Sequence, residues 1–259
     1  MGERPARAGT LLLLRHGRST TNAAGRFTGW TDVPLASEGV HEAERAARLL
    51  ARDGLLPDVV HTSLLRRSIR SADIVLAGLD RQWIPAQRSW RLNERQYGAL
   101  TGRRKHDVRA EAGAGLYDHW RRSLHGRPAP LPAPDLVRLR ADPRYATLRP
   151  DAVPAVESQA DVTARVVPYW ADVLAPRLRT GAVVLVVAHG NSLRALVTVL
   201  DGLDEAGVQR LDIPTGAPLR YDFDPDLRSV ARGGTYLDPG AARAGAAAVA
   251  AEGHRLPLS

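Results

Sequence analysis

The chain contains no cysteine, one methionine and one lysine among its 259 residues. Because cysteine is absent, disulfide bonds and thiol chemistry are excluded. Long apolar runs are absent as well, and a membrane-spanning helix needs about 20 apolar residues. Residues 1–10 are polar and basic, and the four leucines that follow are too few for a secretory signal. We therefore expect a cytoplasmic protein.

Lysine and asparagine are scarce in a chain that is rich in arginine. Of the 36 basic residues all but Lys105 are arginine, and the three asparagines are Asn22, Asn93 and Asn191. The ammonium group of lysine is a compact, mobile charge that the planar guanidinium group does not reproduce. We interpret Lys105 as a candidate for a specific contact, with chance retention as the alternative.

The length and the hydrophobic fraction of 44% suit one α/β domain with a full core. We expect a single domain over residues 1–259, with an inserted cap segment at about 102–158 and a C-terminal tail at about 239–259. The inserted segment contains the proline-rich residues 127–134, which are unsuited to a helix or a central strand. We expect this segment to fold over the functional site.

Two strand patterns far apart in the chain end in the same dipeptide. Residues 11–14 are leucines that lead into Arg-His-Gly at 15–17, and the apolar residues 182–188 lead into His-Gly at 189–190. Short apolar runs closed by glycine are typical of buried parallel strands. The carboxyl ends of such strands meet at the edge of the sheet where ligands bind. We therefore expect the two imidazoles to lie at one crevice.

The residues around the first His-Gly favour an anion as the ligand. Arg15 offers a planar set of donors that suits phosphate, and residues 19–22 add small polar groups. Zinc is the alternative ligand for paired histidines. However, no carboxylate or third histidine stands at ligand spacing near His16 or His189, so we expect no metal.

The positive charge is concentrated in the middle of the chain. Residues 61–127 carry 14 basic and 6 acidic residues, and the whole chain has a net charge of +8. A basic segment can bind nucleic acid or attract a small polyanion. Here the arginines accompany the candidate pocket residues, and no nucleic-acid-reading motif is present. We expect a small anionic phosphorylated substrate, with no nucleic acid and no membrane as partner.

The remaining periodicity alternates between strands and helices, which predicts an α/β fold. The expected architecture is a three-layer sandwich, with a mostly parallel central sheet, helices on both faces and the inserted cap. Helices are predicted at 37–50, 63–79, after 158 with a kink near Pro168, at 193–200 and at 241–251. Further strands are predicted at 58–61, 83–84, 89–92 and, at the sheet edge, 219–223.

Seven motifs, in order along the chain, resemble those of the cofactor-dependent phosphoglycerate mutases of the histidine phosphatase superfamily. They are Arg-His-Gly at 15–17 and the segments 26–35, 93–100, 120–122, 142–145, 188–196 and 213–216. Arg-His-Gly alone marks only the superfamily, whereas segments 26–35 and 93–100 are more specific to the mutases. The resemblance covers nearly the whole chain from Leu11 onward.

The resemblance implies an enzyme that interconverts 2-phosphoglycerate and 3-phosphoglycerate through a phosphohistidine. The phosphoryl primer would be 2,3-bisphosphoglycerate, and no metal would take part. His16 would be the nucleophile, and Glu94 would transfer the proton. The implied catalytic residues are His16, Glu94, His189, Arg15 and Arg67, and the implied substrate contacts are Ser19, Asn22, Thr28, Gly29, Tyr97, Lys105, Arg121, Arg122 and Asn191. A homo-oligomer, either dimer or tetramer, is the expected assembly.

Two other functions are open to the same residues. A phosphatase of the superfamily acting on small phosphorylated metabolites would use water as the acceptor, but Lys105 and the Arg121-Arg122 pair indicate a second anionic group on the substrate. A non-catalytic or nucleic-acid-binding protein is disfavoured by the complete set of catalytic residue types. From composition alone, Glu94 is equally well explained as an ion-pair partner of Arg95 or Arg67.

Arg18 departs from the family pattern, which usually has Glu or Gln directly after Arg-His-Gly. A cation that points inward here would stabilise the phosphoryl group and lower the pKa of the His16 imidazole. The alternative is that Arg18 points to solvent and changes little.

Overall fold

A computed structural model describes residues 8–253 of the chain. In this part of the chain six strands form one sheet in the order β3-β2-β4-β1-β5-β6. The strands are β1 (Thr10–Arg15), β2 (Val59–Thr62), β3 (Ala86–Arg88), β4 (Val183–Ala188), β5 (Leu219–Asp222) and β6 (Thr235–Tyr236). The first four strands run parallel, whereas β5 pairs antiparallel with β1 and β6 pairs antiparallel with β5. The predicted, mostly parallel α/β sheet is confirmed.

Eleven α-helices in the described residues surround the sheet and form the cap. They are α1 (Thr20–Ala23), α2 (Ser37–Arg52), α3 (Arg66–Gly78), α4 (Lys105–Ala112), α5 (Ala114–Arg122), α6 (Ala133–Arg140), α7 (Gln159–Tyr169), α8 (Ala175–Arg179), α9 (Gly190–Asp201), α10 (Glu205–Arg210) and α11 (Pro239–Ala250). Helix α9 begins at the glycine of the second His-Gly and ends at Asp201. The next residue, Gly202, caps the helix with a φ of +59°, a left-handed conformation that glycine adopts without a steric penalty.

The two faces of the sheet carry separate hydrophobic cores. In β1, Leu11 and Leu13 pack into the core that contains α7 and α9, whereas Leu12 and Leu14 pack into the core that contains α2 and α3. All four leucines are almost fully buried. Since successive side chains of a strand point to opposite faces, an unbroken apolar run is what a strand covered by helices on both sides requires.

Two predicted strands are wrong, and the local chemistry explains both. Trp83 and Ile84 precede Pro85, which has no N–H for the ladder, and β3 begins only after this proline. Trp83 lies on the surface under the Arg81 guanidinium. Residues 89–92 form a short 3₁₀ turn, because the Ser89 hydroxyl accepts a hydrogen bond from the Arg91 amide and caps it.

Two other sequence predictions concern the edge position of β5 and the kink near Pro168. Strand β5 is not at the edge of the sheet, because the two-residue strand β6 covers its outer side. A pair of residues is too short to give a periodic signal. The helix predicted after residue 158 runs to Tyr169 and then gives way to a π-helical segment at Trp170–Leu174. Pro168, which cannot donate the regular i→i−4 bond, lies in the last turn of α7, and a kink at this position stays a prediction.

The inserted segment packs against the long loop that follows α1. Phe27 contributes to one small core together with Val108 and Tyr117, and Trp30 contributes to another together with Tyr145. The segment therefore lies against the loop that follows β1 and α1, while the division of the chain into one domain stays a prediction. No helix within residues 8–253 combines the length and the apolar character needed to cross a membrane.

Candidate active site

The two histidines of the His-Gly motifs lie side by side at the sheet edge. Strands β1 and β4 are parallel neighbours in which Arg15 pairs with Ala188, so both strands deliver their histidine at the same level. The ring centroids of His16 and His189 are 4.8 Å apart, and both side chains are buried. The expected meeting of two imidazoles is confirmed by this geometry.

Hydrogen bonding determines which nitrogen of His16 is free to react. Its Nδ1 lies 2.7 Å from the Gly17 carbonyl oxygen, which can only accept, so Nδ1 carries the proton. Its Nε2 receives a hydrogen bond of 3.3 Å from Nε of Arg67, which requires a lone pair on Nε2. Burial, together with the charges of Arg67 and Arg15, lowers the pKa of His16 well below 6.5. The imidazole is therefore neutral at pH 7, with a nucleophilic Nε2.

Arg67 is buried in the first turn of α3, where a cation opposes the helix dipole. Its guanidinium donates to the carbonyl oxygens of Thr31 at 2.8 Å and Gly29 at 2.9 Å. Gly29 has a φ of +57°, which places its carbonyl beside Arg67 in a conformation that other residues rarely adopt. Gly29 thus helps to fix the Arg67 guanidinium through its carbonyl oxygen. Burial lowers the pKa of Arg67 to about 10, which keeps it cationic at pH 7.

Arg15 and His189 complete the group around His16. One terminal nitrogen of Arg15 donates to the Ile213 carbonyl at 2.8 Å, whereas its buried Nε has no hydrogen-bond partner within residues 8–253. A buried donor without a partner costs about 1–3 kcal/mol, which an anionic oxygen would offset. His189 is anchored by a 2.7 Å hydrogen bond between its Nε2 and the Ser63 hydroxyl. Burial and the nearby Arg67 lower the pKa of His189 well below 6.5.

Glu94 presents one carboxylate oxygen to the protein and leaves the other free. Its Oε1 accepts three N–H bonds, from the Arg95 amide at 2.8 Å and from the Asn191 amide and side chain at 3.2 and 2.9 Å. Within the described chain Oε2 accepts no hydrogen bond, and Glu94 forms no ion pair with Arg95 or Arg67. The Arg95 guanidinium is instead bonded to the carbonyls of Glu157 and Gly126. The ion-pair interpretation of Glu94 is therefore wrong, and Oε2 is available for proton transfer.

The loop after His16 is organised by hydroxyl groups. Ser19 caps α1, and its backbone amide and hydroxyl both donate to Oδ1 of Asn22. Because Oδ1 is occupied, the amino group of Asn22 is the end left to face the cavity. The hydroxyls of Thr28 and Thr21 are 2.7 Å apart. Ser19 is fully buried and supports Asn22 without reaching the cavity.

One polar cavity beside these groups brings together most of the predicted residues. Nine of them line it: Arg15, Asn22, Thr28, Glu94, Tyr97, Lys105, Arg121, Arg122 and Asn191. The other five, His16, Arg67, His189, Ser19 and Gly29, are not part of the lining. The lining nevertheless includes Arg15 and Gly190, the residues next to the two buried imidazoles.

The sequence did not predict several residues of the cavity wall. These are Arg26, Phe27, Gly190, Arg194, Ile213, Val249 and Glu252. Glu252 offered a weak signal, because it is the first acidic residue after Asp238 in a tail of small residues. For Arg194, one of 35 arginines, composition gave no signal.

The carboxylate of Glu252 occupies the cationic side of the cavity. It pairs with the Lys105 ammonium and with the Arg121 guanidinium, the latter at 2.9 Å. Arg121 also donates to the Val249 carbonyl at 2.7 Å, and the Tyr117 hydroxyl donates to the Glu252 carbonyl at 3.0 Å. Burial alone would raise the pKa of Glu252, but the charges of Lys105 and Arg121 outweigh it and lower the pKa to about 2. We call the pairing of the Glu252 carboxylate with Lys105 and Arg121 the tail contact.

Arg122 and Arg18 take no part in the pairing with Glu252. Arg122 pairs with Asp212 at 3.1 Å on one wall of the cavity. The Arg18 side chain is exposed and lines a second, adjoining cavity, which shares Arg15, Lys105 and Glu252 with the first. Its backbone amide is bonded to Glu42, and its guanidinium makes no hydrogen bond or ion pair within residues 8–253. This placement agrees with the alternative in which Arg18 points to solvent.

A metal site is not formed by the described part of the chain, in which no three His, Cys, Asp or Glu side chains cluster closely enough to hold an ion. The charged groups of the cavity are instead mostly cations: Arg15, Arg26, Lys105, Arg121, Arg122 and Arg194. Such a lining suits a small molecule with more than one anionic group.

Comparisons with known proteins agree with the motifs. The family model described as histidine phosphatase superfamily (branch 1) matches residues 11–150 and 135–234. A 2,3-bisphosphoglycerate-dependent phosphoglycerate mutase of Rhodococcus jostii is 53% identical over 95% of this chain and 97% of its own length. The enzyme of the same name from Clavibacter sepedonicus is also 53% identical, over 95% of this chain and 98% of its own.

The fold is shared with solved structures of lower identity. A mycobacterial glucosyl-3-phosphoglycerate phosphatase complexed with VO₃ superposes with a TM-score of 0.66 at 24% identity, covering 86% of this chain and 96% of that one. At this identity the likeness concerns the fold alone.

Proposed function

The chain belongs to the histidine phosphatase superfamily (branch 1) and, within it, to the 2,3-bisphosphoglycerate-dependent phosphoglycerate mutases, and we propose that it performs its phosphoryl transfer on Nε2 of His16. It is an enzyme that interconverts 2-phosphoglycerate and 3-phosphoglycerate. The observation that carries the site assignment is the neutral His16, whose Nε2 faces the Arg67 cation beside the Arg15 and His189 side chains. A homo-oligomeric state and a cytoplasmic location stay predictions.

The transfer divides into two half-reactions with opposite proton movements. In the first, Nε2 of His16 attacks the phosphorus atom, the P–N bond forms and the P–O bond of the ester breaks. Oε2 of Glu94, which carries the proton taken up in the preceding half-reaction, gives it to the leaving oxygen. In the second, Oε2 takes the proton of the acceptor hydroxyl, whose oxygen attacks phosphorus while the P–N bond breaks. Phosphoryl transfer depends mainly on positioning and charge stabilisation, which Arg15 and Arg67 provide.

The residues of the cavity fit 2,3-bisphosphoglycerate, which when bound supplies the phosphoryl group that primes His16. The unpartnered Nε of Arg15 is suited to an oxygen of the transferred phosphate. The tail contact supports a second anionic subsite, because Lys105 and Arg121 already hold a carboxylate there. We assign this pair, with Arg122 and Asn22 nearby, to the remaining anionic groups of the substrate.

The decisive experiment measures conversion of 3-phosphoglycerate to 2-phosphoglycerate with and without a trace of 2,3-bisphosphoglycerate. We expect conversion that depends on the primer and disappears in the variant His16→Ala. The control is His41→Ala, which removes an exposed histidine of α2 outside the site and should keep full activity. Release of inorganic phosphate without formation of 2-phosphoglycerate would indicate a phosphatase. If neither 2-phosphoglycerate nor inorganic phosphate forms, with or without the primer, the assignment of the site to phosphoryl transfer is refuted.

A further inference from the structure

The side-chain amide of Asn191 has a fixed orientation. Its Nδ2 donates to Oε1 of Glu94 at 2.9 Å and to the Tyr97 hydroxyl at 2.8 Å. Its Oδ1 accepts from a terminal nitrogen of Arg194 at 3.3 Å. A guanidinium group has donors and no acceptor, so it can only face the oxygen end of the amide. With the amide reversed, Oδ1 would oppose the Glu94 carboxylate and the amino group would oppose Arg194.

Arg194 is itself held rigidly. It lies one turn after Asn191 on α9, a spacing that places both side chains on the same face of the helix. Its Nε donates to the Leu211 carbonyl at 2.9 Å, and its other terminal nitrogen is 3.5 Å from Oδ1 of Asp212. Because two other partners anchor this buried guanidinium, the direction of its bond to Asn191 is fixed as well.

We propose that Arg194 is a positioning residue for the proton transfer, because it orients Asn191 so that Oε1 of Glu94 is held and Oε2 is left to face the substrate. This inference rests on the proposed role of Glu94 as the proton donor and acceptor. Arg194 acts through two intervening groups: its guanidinium orients the amide, and the amide supplies the side-chain member of the three hydrogen bonds to Oε1. Loss of Arg194 allows the Asn191 amide to rotate, and Oε1 of Glu94 then keeps only the bonds from the backbone amides of Arg95 and Asn191.

Two other roles for Arg194 must be separated from this one. The residue lines the cavity, so it could bind the substrate directly. Its buried contacts could also serve stability alone. A phosphoryl donor whose leaving group needs no proton distinguishes the three roles, which are positioning for proton transfer, direct substrate binding and stability. p-Nitrophenyl phosphate releases a weakly basic phenolate without acid assistance, whereas the alkoxide of a phosphoglycerate ester requires a proton from Glu94.

The test is the rate at which His16 becomes phosphorylated in a single turnover, measured with 2,3-bisphosphoglycerate and with p-nitrophenyl phosphate. For Arg194→Met we expect the rate with 2,3-bisphosphoglycerate to fall about tenfold or more, since positioned acid–base groups contribute typically 10²–10⁴-fold. The rate with p-nitrophenyl phosphate should change less than about threefold. Arg194→Lys, which retains one donor for Asn191, should recover part of the loss.

Two further variants test the role of Glu94 and the contribution of stability separately. Glu94→Gln should give the same selective loss in larger measure, and if it slows both donors equally the proposed role of Glu94 is wrong. Leu193→Ala, a buried core change in the same helix, controls for stability and should change the phosphorylation rates with the two phosphoryl donors by the same factor. If Glu94→Gln separates the donors and Arg194→Met does not, the inference is overturned. It is also overturned if Arg194→Met only weakens the binding of 2,3-bisphosphoglycerate, which would indicate direct substrate contact.

Discussion

The tail contact predicts that Glu252→Gln lowers the KM for 3-phosphoglycerate. The substrate can bind Lys105 and Arg121 only after the Glu252 carboxylate leaves them. Glutamine keeps the size of the side chain and the backbone contacts of the tail, and it removes the competing charge. The apparent affinity of a site that is open for only part of the time is reduced by the open fraction, and the variant raises that fraction.

The size of the effect follows from the pKa of Glu252, which is lowered from 4.5 to about 2. At about 1.36 kcal/mol per pKa unit, this limits the stabilisation of the ionised carboxylate to roughly 3 kcal/mol. The Glu252 side chain is 25% exposed, so solvent screens part of this interaction. A net value of about 1–2 kcal/mol corresponds to a KM lowered about 5- to 30-fold.

The assay is steady-state mutase kinetics at saturating primer, with Glu111→Gln as the control. Glu111 is an exposed carboxylate on α4 that pairs with Arg103 away from the cavity, and its loss should leave KM unchanged. A KM that rises or does not move in Glu252→Gln would refute the competition between Glu252 and the substrate.

The pKa of Glu252 also predicts how the stability of the protein depends on pH. Because folding lowers the pKa of Glu252 below 4.5, the ionised carboxylate adds to the free energy of unfolding of wild type relative to Glu252→Gln. This difference is present above pH 4.5 and is lost as the pH falls toward 2.

Three further predictions concern charge and packing. Lys105→Arg should lower kcat/KM about tenfold, or about 1.4 kcal/mol, because the buried site is shaped for a compact ammonium group; unchanged kinetics would make the single lysine a chance retention. Arg18→Glu should change the phosphoenzyme half-life and kcat less than about twofold, because the side chain is exposed, and a larger change in either would place it in the pocket. Leu185→Ala, fully buried in β4, should lower the free energy of unfolding by about 2–5 kcal/mol in a denaturant titration, and a loss below about 1 kcal/mol would contradict the core assignment.

The sequence was informative where one local pattern dictates both structure and chemistry. The apolar runs before His16 and His189 predicted two buried parallel strands, and the common edge of a parallel sheet then brought the imidazoles together. The position of Lys105 in the cavity wall agrees with its interpretation as a specific contact. In these cases periodicity, a turn-forming glycine and the donor chemistry of the side chain were sufficient for the prediction.

The contacts that the sequence did not predict join residues far apart in the chain. Lys105 and Glu252 are separated by 147 positions, and nothing in either segment identifies the other as its partner. The hydrogen bonds from Arg194 to Asn191 and from Asn191 to Glu94 depend on the direction of an amide, which residue type does not determine. Two misses have local causes: strand β6 is too short to give a periodic signal, and the strand pattern at Trp90–Leu92 gives way to a turn that the Ser89 hydroxyl caps.

Peptide mapping of the phosphorylated protein shows whether Nε2 of His16 carries the phosphoryl group. The protein is incubated with 2,3-bisphosphoglycerate, quenched without acid and digested, and the site and isomer of phosphohistidine are determined by mass spectrometry and ³¹P NMR. Because Nδ1 donates to the Gly17 carbonyl, we predict near-stoichiometric, acid-labile phosphorylation on Nε2 of His16. Phosphorylation on His189, on Nδ1 of His16, or at full stoichiometry in His16→Ala would show that Nε2 of His16 is not the nucleophile.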